Sequence, residues 1–406
     1  MNVLLLCNKS PYPPGEGGPM AMNSIITGLL DAGHKVRVMA FNSNKYHVDI
    51  DSIPKDYINK TKINFTDIDL TIKPIEAFKN LFSDESYHVK RFISQEFTDK
   101  LVKTLKKDRF DVVQLETIYM ASYIDVIRAY SDAKIVLRAH NVEHLIWERM
   151  AKQTLFFAKR WYLNHLARTL RRYEISVLDK ADGIVAITMT DANFFRRITV
   201  TPVIDIPFGV DIEKFNPVFE VGETPTFYHI GSMNWMPNEE GVKWLLKNVW
   251  NKVTERIPEA KLYLAGRNMP KRLLKTKQKN VIVEGEVPDA QEFVNKHNVA
   301  VVPLFSGSGM RIKIIESMAL GKTVITTMVG AEGIQYSEFE NIIIADNEPK
   351  MVENICRLYQ HPEEAEAIGL NARRLVEDLY DNKKIINRLT IFYDELLSKR
   401  EITVLN

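Results

Sequence analysis

Cysteine is almost missing from this chain. Its 406 residues contain two, Cys7 and Cys356, in neither a CxxC pair nor a Cys/His spacing, which excludes a disulfide framework and a zinc site. Long apolar runs are missing as well: none approaches the ~20 residues that cross a bilayer, and no cleavage site follows Met1–Cys7. A cytoplasmic location is expected. An excess of charge of one sign is also lacking, with 54 Lys and Arg against 52 Asp and Glu and a net charge of +2. That balance speaks against a dedicated nucleic-acid binder, so no nucleic-acid partner is expected. Short repeats and low-complexity tracts are absent, and the sequons at Asn59 and Asn64 would matter only in a secreted protein.

What is there is a globular composition, 45% hydrophobic, in a chain long enough for two domains of roughly 200 residues each. Apolar runs predict strands at Val3–Cys7, Lys35–Phe41, Asp111–Leu115, Lys134–Arg138 and Gly183–Ile187, between helical patterns such as Ala21–Asp31 and Glu96–Lys107. Pro, Gly and Asp between Thr201 and Phe219 then break the rhythm. It restarts with strands predicted at Thr226–Ile230, Lys261–Ala265, Val281–Glu284, Val299–Val302 and Val324–Thr327, and a helix from about Asn238 to Thr254. Such alternation predicts an α/β protein of two Rossmann-like, doubly wound domains. The expected division is 1–206 and 207–382, with a last helix over 383–406 that packs back on the first domain.

Ligands of such sheets gather beyond the carboxyl ends of the strands, so the loops after strands hold the candidates. The richest is GSGMRIKIIESMALGKTVITT, from Gly307 to Thr327. Gly307, Ser308 and Gly309 form a tight loop, and a helix is predicted from near Met310. Backbone N–H groups at such a start lack internal partners and carry the positive end of the helix dipole, so an anion docks there. Arg311 and Lys313 add full charges. Glu316 lies five residues beyond Arg311 and is not its i,i+4 partner. Phosphate repels a carboxylate, so Glu316 suits a neutral pair of hydroxyls such as a ribose. A nucleotide site is expected.

Three further loops carry candidates. Between Asn8 and Pro19, Gly15, Gly17 and Gly18 would let backbone N–H groups approach an anion, although the run fits neither GxGxxG nor Walker A. In Ala139-His140-Asn141-Val142-Glu143-His144, His140 stands at a strand end, where it can hydrogen-bond a substrate hydroxyl or a developing charge. His140 and His144 have the spacing of a metal pair, but HNVEH is not HExxH and no third ligand accompanies it, so no metal is expected. In the third loop Gly231 permits backbone approach, Ser232 offers a hydroxyl, Asn238 reads as a helix cap, and Trp235 and Pro237 as loop packing. The triplets Asp49-Ile-Asp51 and Asp67-Ile-Asp69 read as surface loops. Between Trp147 and Leu178, Lys152, Lys159, Arg160, Arg168, Arg171 and Arg172 mingle with Phe156, Phe157, Trp161, Tyr162 and Leu163. A basic helix of this kind can lie on an anionic membrane surface and reach a lipid-linked acceptor; a helix packed into the first domain with a solvated cationic face is the other reading.

Together PYPPGEGG, AHNVEH, PFGVDIEKF, GSMNWMPN and GSGMRIKIIESMALGKTVITT resemble the retaining nucleotide-sugar glycosyltransferases of the GT-B fold, group 1 or family 4, over essentially the whole chain. The resemblance implies two Rossmann-like domains facing across a cleft, the donor held mainly by the second and the acceptor by the first. Arg311 and Lys313 would then neutralise the donor diphosphate beside the backbone of Gly17, Gly18, Gly309 and Met310. Glu316 would bind the ribose and His140 would contact the transferring sugar, with Gly15, Gly231, Ser232 and Ser308 around the donor. Two glutamates eight apart are usual in that family, and Ser308 stands where the first would be. An Arg and a Lys usually follow the second domain's first strand, where this chain has Ser232 and Asn234, so Arg311 and Lys313 take the cationic role. Phe208 replaces a frequent Asn. The implied reaction moves a sugar from a nucleoside diphosphate to a glycan or lipid-linked glycan with retention. It needs no metal and no cofactor besides the donor, because fixed cations and helix N–H groups stabilise the leaving diphosphate. A nucleotide-sugar epimerase on the same fold and a non-catalytic nucleotide-sugar-binding protein are the alternatives.

Overall fold

Runs such as VLLLC and VAVV carry no polar alternation, and their residues are buried throughout. Only inner strands of a parallel sheet with helices on both faces require that. A computed structural model of the chain describes all residues except 15–16, 219–223, 308 and 405–406. It divides into two compact units, Met1–Phe208 with the segment from Ile385 onward, and Gly209–Lys384.

The first unit holds a sheet of β1 (Asn2–Cys7), β2 (Lys35–Ser43), β3 (Asn64–Ile68), β4 (Val112–Glu116), β5 (Lys134–Ala139), β6 (Gly183–Ala186) and β7 (Val203–Asp205). Their order is β3-β2-β1-β4-β5-β6-β7 and every pairing is parallel, with Val3 beside both Val36 and Val112. The second unit repeats the plan with β8 (Phe227–Ile230), β9 (Leu262–Ala265), β10 (Val281–Gly285), β11 (Val299–Val302), β12 (Thr323–Thr326) and β13 (Ile343–Ile344), in the order β10-β9-β8-β11-β12-β13. The strand order reverses between β1 and β4, and again between β8 and β11. At such switch points the loops diverge and leave room for a ligand.

The α/β, doubly wound reading therefore holds in both halves. The strands that the sequence reading missed, β3, β7 and β13, lie at sheet edges, where one side of the ladder is open and the apolar signal is weaker. One helix spans Gly17–Asp31 and begins before the expected Ala21; another spans Ile312–Ala319, with Arg311 as its cap residue, and begins after the expected Met310. The helix expected over Asn238–Thr254 runs from Met236 through a π-helical stretch at Leu245–Trp250 to Arg256. Both aspartate triplets serve local structure. Asp49 caps a short turn at Ile50–Ser52, and Asp69, just past β3, accepts from Asn44 Nδ2 and the Thr71 amide, both at 2.8 Å.

The last helix, Asn382–Val404, belongs to the first core. Its Ile385, Leu389, Phe392, Tyr393 and Leu396 pack among Val3, Leu5, Val38 and Val136. It runs so close to β6 that a Cβ at Gly183 would stand 2.6 Å from Leu396 Cδ1. Cys7 and Cys356 are buried and free. Among the described residues no helix is long and apolar enough to cross a membrane. Because Leu389 is fully buried, Leu389→Ala is expected to destabilise the first unit by about 2–5 kcal/mol, read as a lowered urea midpoint for that unit.

Candidate functional site

At the carboxyl ends of β4 and β5 the first unit buries a chain of polar groups. Glu116 closes β4 with no exposed surface, and a carboxylate there requires hydrogen-bond partners. It has them: Gln114 Nε2 donates to Oε1 at 2.6 Å, and Oε2 receives His140 Nε2 at 2.6 Å and Arg138 Nη1 at 3.2 Å. Tyr393 of the last helix donates to Gln114 Oε1, and Arg138 Nη1 also reaches the Ala21 carbonyl at 3.1 Å. Burial pushes the Glu116 carboxyl up, but Arg138, His140 and Gln114 outweigh it and hold it below its ordinary value. Burial lowers the His140 pKa against the pull of Glu116. A neutral ring that donates Nε2–H to Glu116 keeps Nδ1 as an acceptor, and no described residue bonds that atom. Thr117, the next residue, has φ +79°, a conformation that costs a β-branched side chain about 1–3 kcal/mol.

His140 and His144 do not form a pair. His144 lies inside the helix Glu143–Gln153, with Nδ1 at 2.5 Å from Glu174 Oε2, whose carboxylate also accepts the Glu143 and His144 amides. Glu174 thereby caps that helix from a neighbouring one. Glu143 faces Tyr119 Oη at 2.9 Å, and burial pushes its carboxyl up to about 7. No cluster of three metal-ligating side chains exists among the described residues. Gly17 and Gly18 open the Gly17–Asp31 helix rather than sitting in a loop. A Cβ would meet open space at Gly17 and the Lys9 side chain, 2.9 Å away, at Gly18.

In the second unit the loop after β11 leads into the Ile312–Ala319 helix. Gly307 and Gly309 take φ of +104° and +81°, and the chain folds back so that the Arg311 guanidinium lies 5.5 Å from the Trp235 ring centroid and donates to the Gly309 carbonyl. Its side chain is 4% exposed, with Glu332 at 3.9 Å. The cation expected on an open helix start is thus tucked under the loop, and burial lowers its pKa. Lys313 Nζ donates to Asn238 Oδ1 and stands 3.5 Å from His229 Nε2. His229 uses its other nitrogen on the Val301 carbonyl at 2.8 Å, so a neutral His229 accepts from the ammonium. Burial, with Arg311 nearby, brings the Lys313 pKa down to about 7.

Glu316 lies one turn beyond Lys313, on the same helix face. Burial raises its carboxyl, and among the described residues no side chain pairs with it. Asn238 is not a helix cap, since Trp235 holds that position. Its Nδ2 ties down the Ser232 carbonyl at 2.9 Å and its Oδ1 holds Lys313. Gly231 is consumed by packing: a Cβ would lie 2.7 Å from Asn238 Nδ2, and Gly266, at φ +140°, presses on its carbonyl. The Ser232 hydroxyl donates to Asn234 Oδ1 at 2.7 Å, inside the loop. Met310 is half-buried beside Arg311. Gly15 and Ser308 lie outside the described residues.

Sequence reasoning missed Glu116, Arg138, Lys9, Asn238 as a lysine partner, and His229. Polar residues inside apolar strand runs, as in VVQLE and KIVLRA, were the available signal: a parallel strand buries them, and burial demands a reason.

Residues 17–214 match the family model described as Glycosyltransferase Family 4, and residues 224–361 that described as Glycosyl transferases group 1. A Klebsiella pneumoniae protein named as an uncharacterized 44.6 kDa protein in the cps region is 20% identical over 95% of this chain and 98% of its own length. Among solved structures, sucrose-phosphate synthase from Thermosynechococcus elongatus aligns with a TM-score of 0.67 at 17% identity, covering 98% of this chain and 100% of that one. Anabaena HepE in complex with UDP aligns at 0.65 and 13%, covering 97% and 100%. A variant of S. aureus TarM in complex with Fondaparinux, alpha-GlcNAc-glycerol and UDP aligns at 0.64 and 13%, over 97% and 100%.

A lysine with a pKa of about 7 makes anion binding depend on pH in a defined direction. The protonated form attracts the anion, so the Lys313 contribution is complete below pH 7 and shrinks as pH rises, by up to about tenfold per unit. Titrating pyrophosphate into wild type and Lys313→Met from pH 6 to 9 tests this. The affinity ratio of the two proteins, which cancels the ligand's own titration, is expected to fall across that range.

Proposed function

Because the chain belongs to the glycosyltransferases of group 1 and family 4, on the GT-B fold, we propose that it moves a sugar from a nucleoside diphosphate to a glycan or lipid-linked glycan. The anomeric configuration is retained and no metal takes part. The observation that carries the donor assignment is the helix after β11. Two cations stand at its start and one partly buried carboxylate without a described partner lies a turn further along. That pairing of charges suits a phosphate with a ribose beside it. UDP is the first nucleotide to try, since the HepE and TarM structures hold it.

In this reading Lys313 and the N–H groups around Gly309 and Met310 meet the diphosphate, and the Arg311 charge adds to the field from beside the Gly309 carbonyl. Charge builds on the diphosphate as the glycosidic bond breaks, and cations fixed beforehand stabilise it without reorganisation. Divalent metal is then unnecessary. Glu316 accepts from the ribose hydroxyls. In the first unit, the backbone at Gly17 and Gly18 serves the anion, and His140 Nδ1 accepts from a hydroxyl of the transferring sugar while Glu116 fixes the tautomer. Attack by the acceptor on the face that the diphosphate leaves accounts for retention without a protein nucleophile. The family models favour transfer over an epimerase or a binding protein without turnover.

Calorimetry in the presence of a metal chelator separates the parts. UDP is expected to bind, and Glu316→Gln to weaken it by about 10- to 100-fold, the worth of a charged hydrogen bond, while leaving pyrophosphate unaffected. His140→Ala is expected to keep UDP affinity and lower turnover by at least about tenfold. UDP binding that ignores Glu316, with GDP and ADP equally indifferent, overturns the donor site.

A further inference from the structure

Apart from Val200 and Ile93, the most exposed large apolar side chains of the first unit gather in two segments. One is the turn between the Glu143–Gln153 and Phe157–Leu178 helices, where Leu155, Phe156 and Phe157 are 98%, 70% and 71% exposed and Trp161 is half exposed. The other is the short helix Pro74–Asn80 and the residues beside it, where Ile72, Ile75, Phe78 and Phe82 stand out at 65%, 72%, 63% and 82%. The Phe78 and Phe82 rings meet edge to face at 5.7 Å. The two segments are tied together, since His165 Nε2 bonds the Asn80 carbonyl at 3.1 Å and Arg172 pairs with Asp84. The two segments therefore adjoin on the first unit. Monomeric soluble proteins rarely leave contiguous apolar area of this kind open unless something covers it.

Charge identifies the occupant. From Trp147 to Arg172 the chain carries seven Lys and Arg and a single carboxylate, Glu148. Lys152, Lys159, Arg160 and Arg171 are exposed and have no acidic partner among the described residues. Lys159 and Arg160 stand in the first turn of the Phe157–Leu178 helix, which has no acidic residue there. That end carries the positive pole of the helix dipole and normally attracts carboxylates, so helix stability does not explain those two cations. Not every residue of the run takes part: Leu163 is buried and Tyr162 packs with it against Tyr87 and Ala151. The helix is also not continuous with the one before it, and the break is what brings three consecutive apolar residues to the outside.

We infer that this two-segment surface docks the first unit on an anionic lipid bilayer, with the aromatic and aliphatic side chains in the interface and the cations at the headgroups. Aromatic anchors flanked by lysine and arginine are the composition such an interface takes. The Glu143–Gln153 helix runs from the His140 loop to this surface, and its 11 residues set a separation of about 16 Å along the helix axis at 1.5 Å per residue. A docked bilayer therefore presents headgroup-linked molecules about one helix length from His140. This deepens the proposed function by selecting the lipid-linked acceptor, and rests on it in that respect alone.

Flotation of the full chain with phosphatidylcholine vesicles, with and without phosphatidylglycerol, tests the surface. Wild type is expected to float with the anionic vesicles only. Phe156→Ser with Phe157→Ser, Phe78→Ser with Phe82→Ser, and Lys159→Glu with Arg160→Glu are each expected to lower the bound fraction by about tenfold. The altered side chains are exposed, so far-UV circular dichroism and UDP affinity are expected to stay at wild-type values, and loss of UDP binding in wild type would fail the donor reading without touching this one. Wild type that ignores anionic vesicles, or variants that float as wild type does, overturn the inference. So does a wild-type dimer in sedimentation that the phenylalanine variants abolish, because a second copy would then be the occupant.

Discussion

A carboxylate with no access to water organises the carboxyl end of the first unit's sheet. Glu116 lies at the switch point of the sheet, where β4 ends beside β1 and β5. Ionised and buried, it is tolerable only because a guanidinium, an imidazole and an amide all point at it. Each of those partners comes from a different place. Arg138 and His140 are the last turns of β5 and the loop after it, Gln114 is two residues back along β4, and Tyr393 extends the chain into the last helix. A single ionised group thus fixes His140, the Ala21 end of the first helix, and the docking of a helix nearly 280 residues away in sequence.

The second unit solves the opposite problem. Here two cations rather than a carboxylate are drawn inward, and neither has a buried carboxylate in close contact. Arg311 lies against the Trp235 face and the Gly309 carbonyl, and Lys313 against an amide oxygen and a neutral imidazole. Neutral acceptors hold Lys313 in place without cancelling its charge, whereas Arg311 also has the Glu332 carboxylate 3.9 Å away. Gly231, Gly266 and Gly307 allow the backbones and the guanidinium to approach closely enough for this arrangement. A lysine that titrates near neutrality is its electrostatic consequence.

The surface at residues 72–82 and 155–161 follows another rule, since no core or catalytic demand accounts for it. Its apolar groups point away from both hydrophobic clusters of the first sheet. The neighbouring helix nevertheless packs firmly through Leu163, Leu166 and Leu170. The outward side is therefore a choice of residues on a well-anchored scaffold, and the cations beside it lie where helix electrostatics disfavour them.

Much of this was legible along the chain. Apolar runs without alternation announce buried parallel strands, their alternation with helical periods announces a doubly wound plan, and glycine with charge after β11 announces a tight loop with cations beside it, because each depends on neighbours within a few residues. GSGMRIKIIE and AHNVEH could be located in that way. What surrounds those residues could not. Whether Arg311 faces solvent or Trp235, whether Asn238 caps a helix or holds Lys313, and which carboxylate holds His140 depend on contacts between segments tens to hundreds of residues apart. The distant Phe82 and Phe156 are read as one surface only when Asn80 and His165 are seen to touch. Local spacing determines which elements form, whereas the pairing of buried charges is set by strand order and helix docking, and that only the tertiary structure decided.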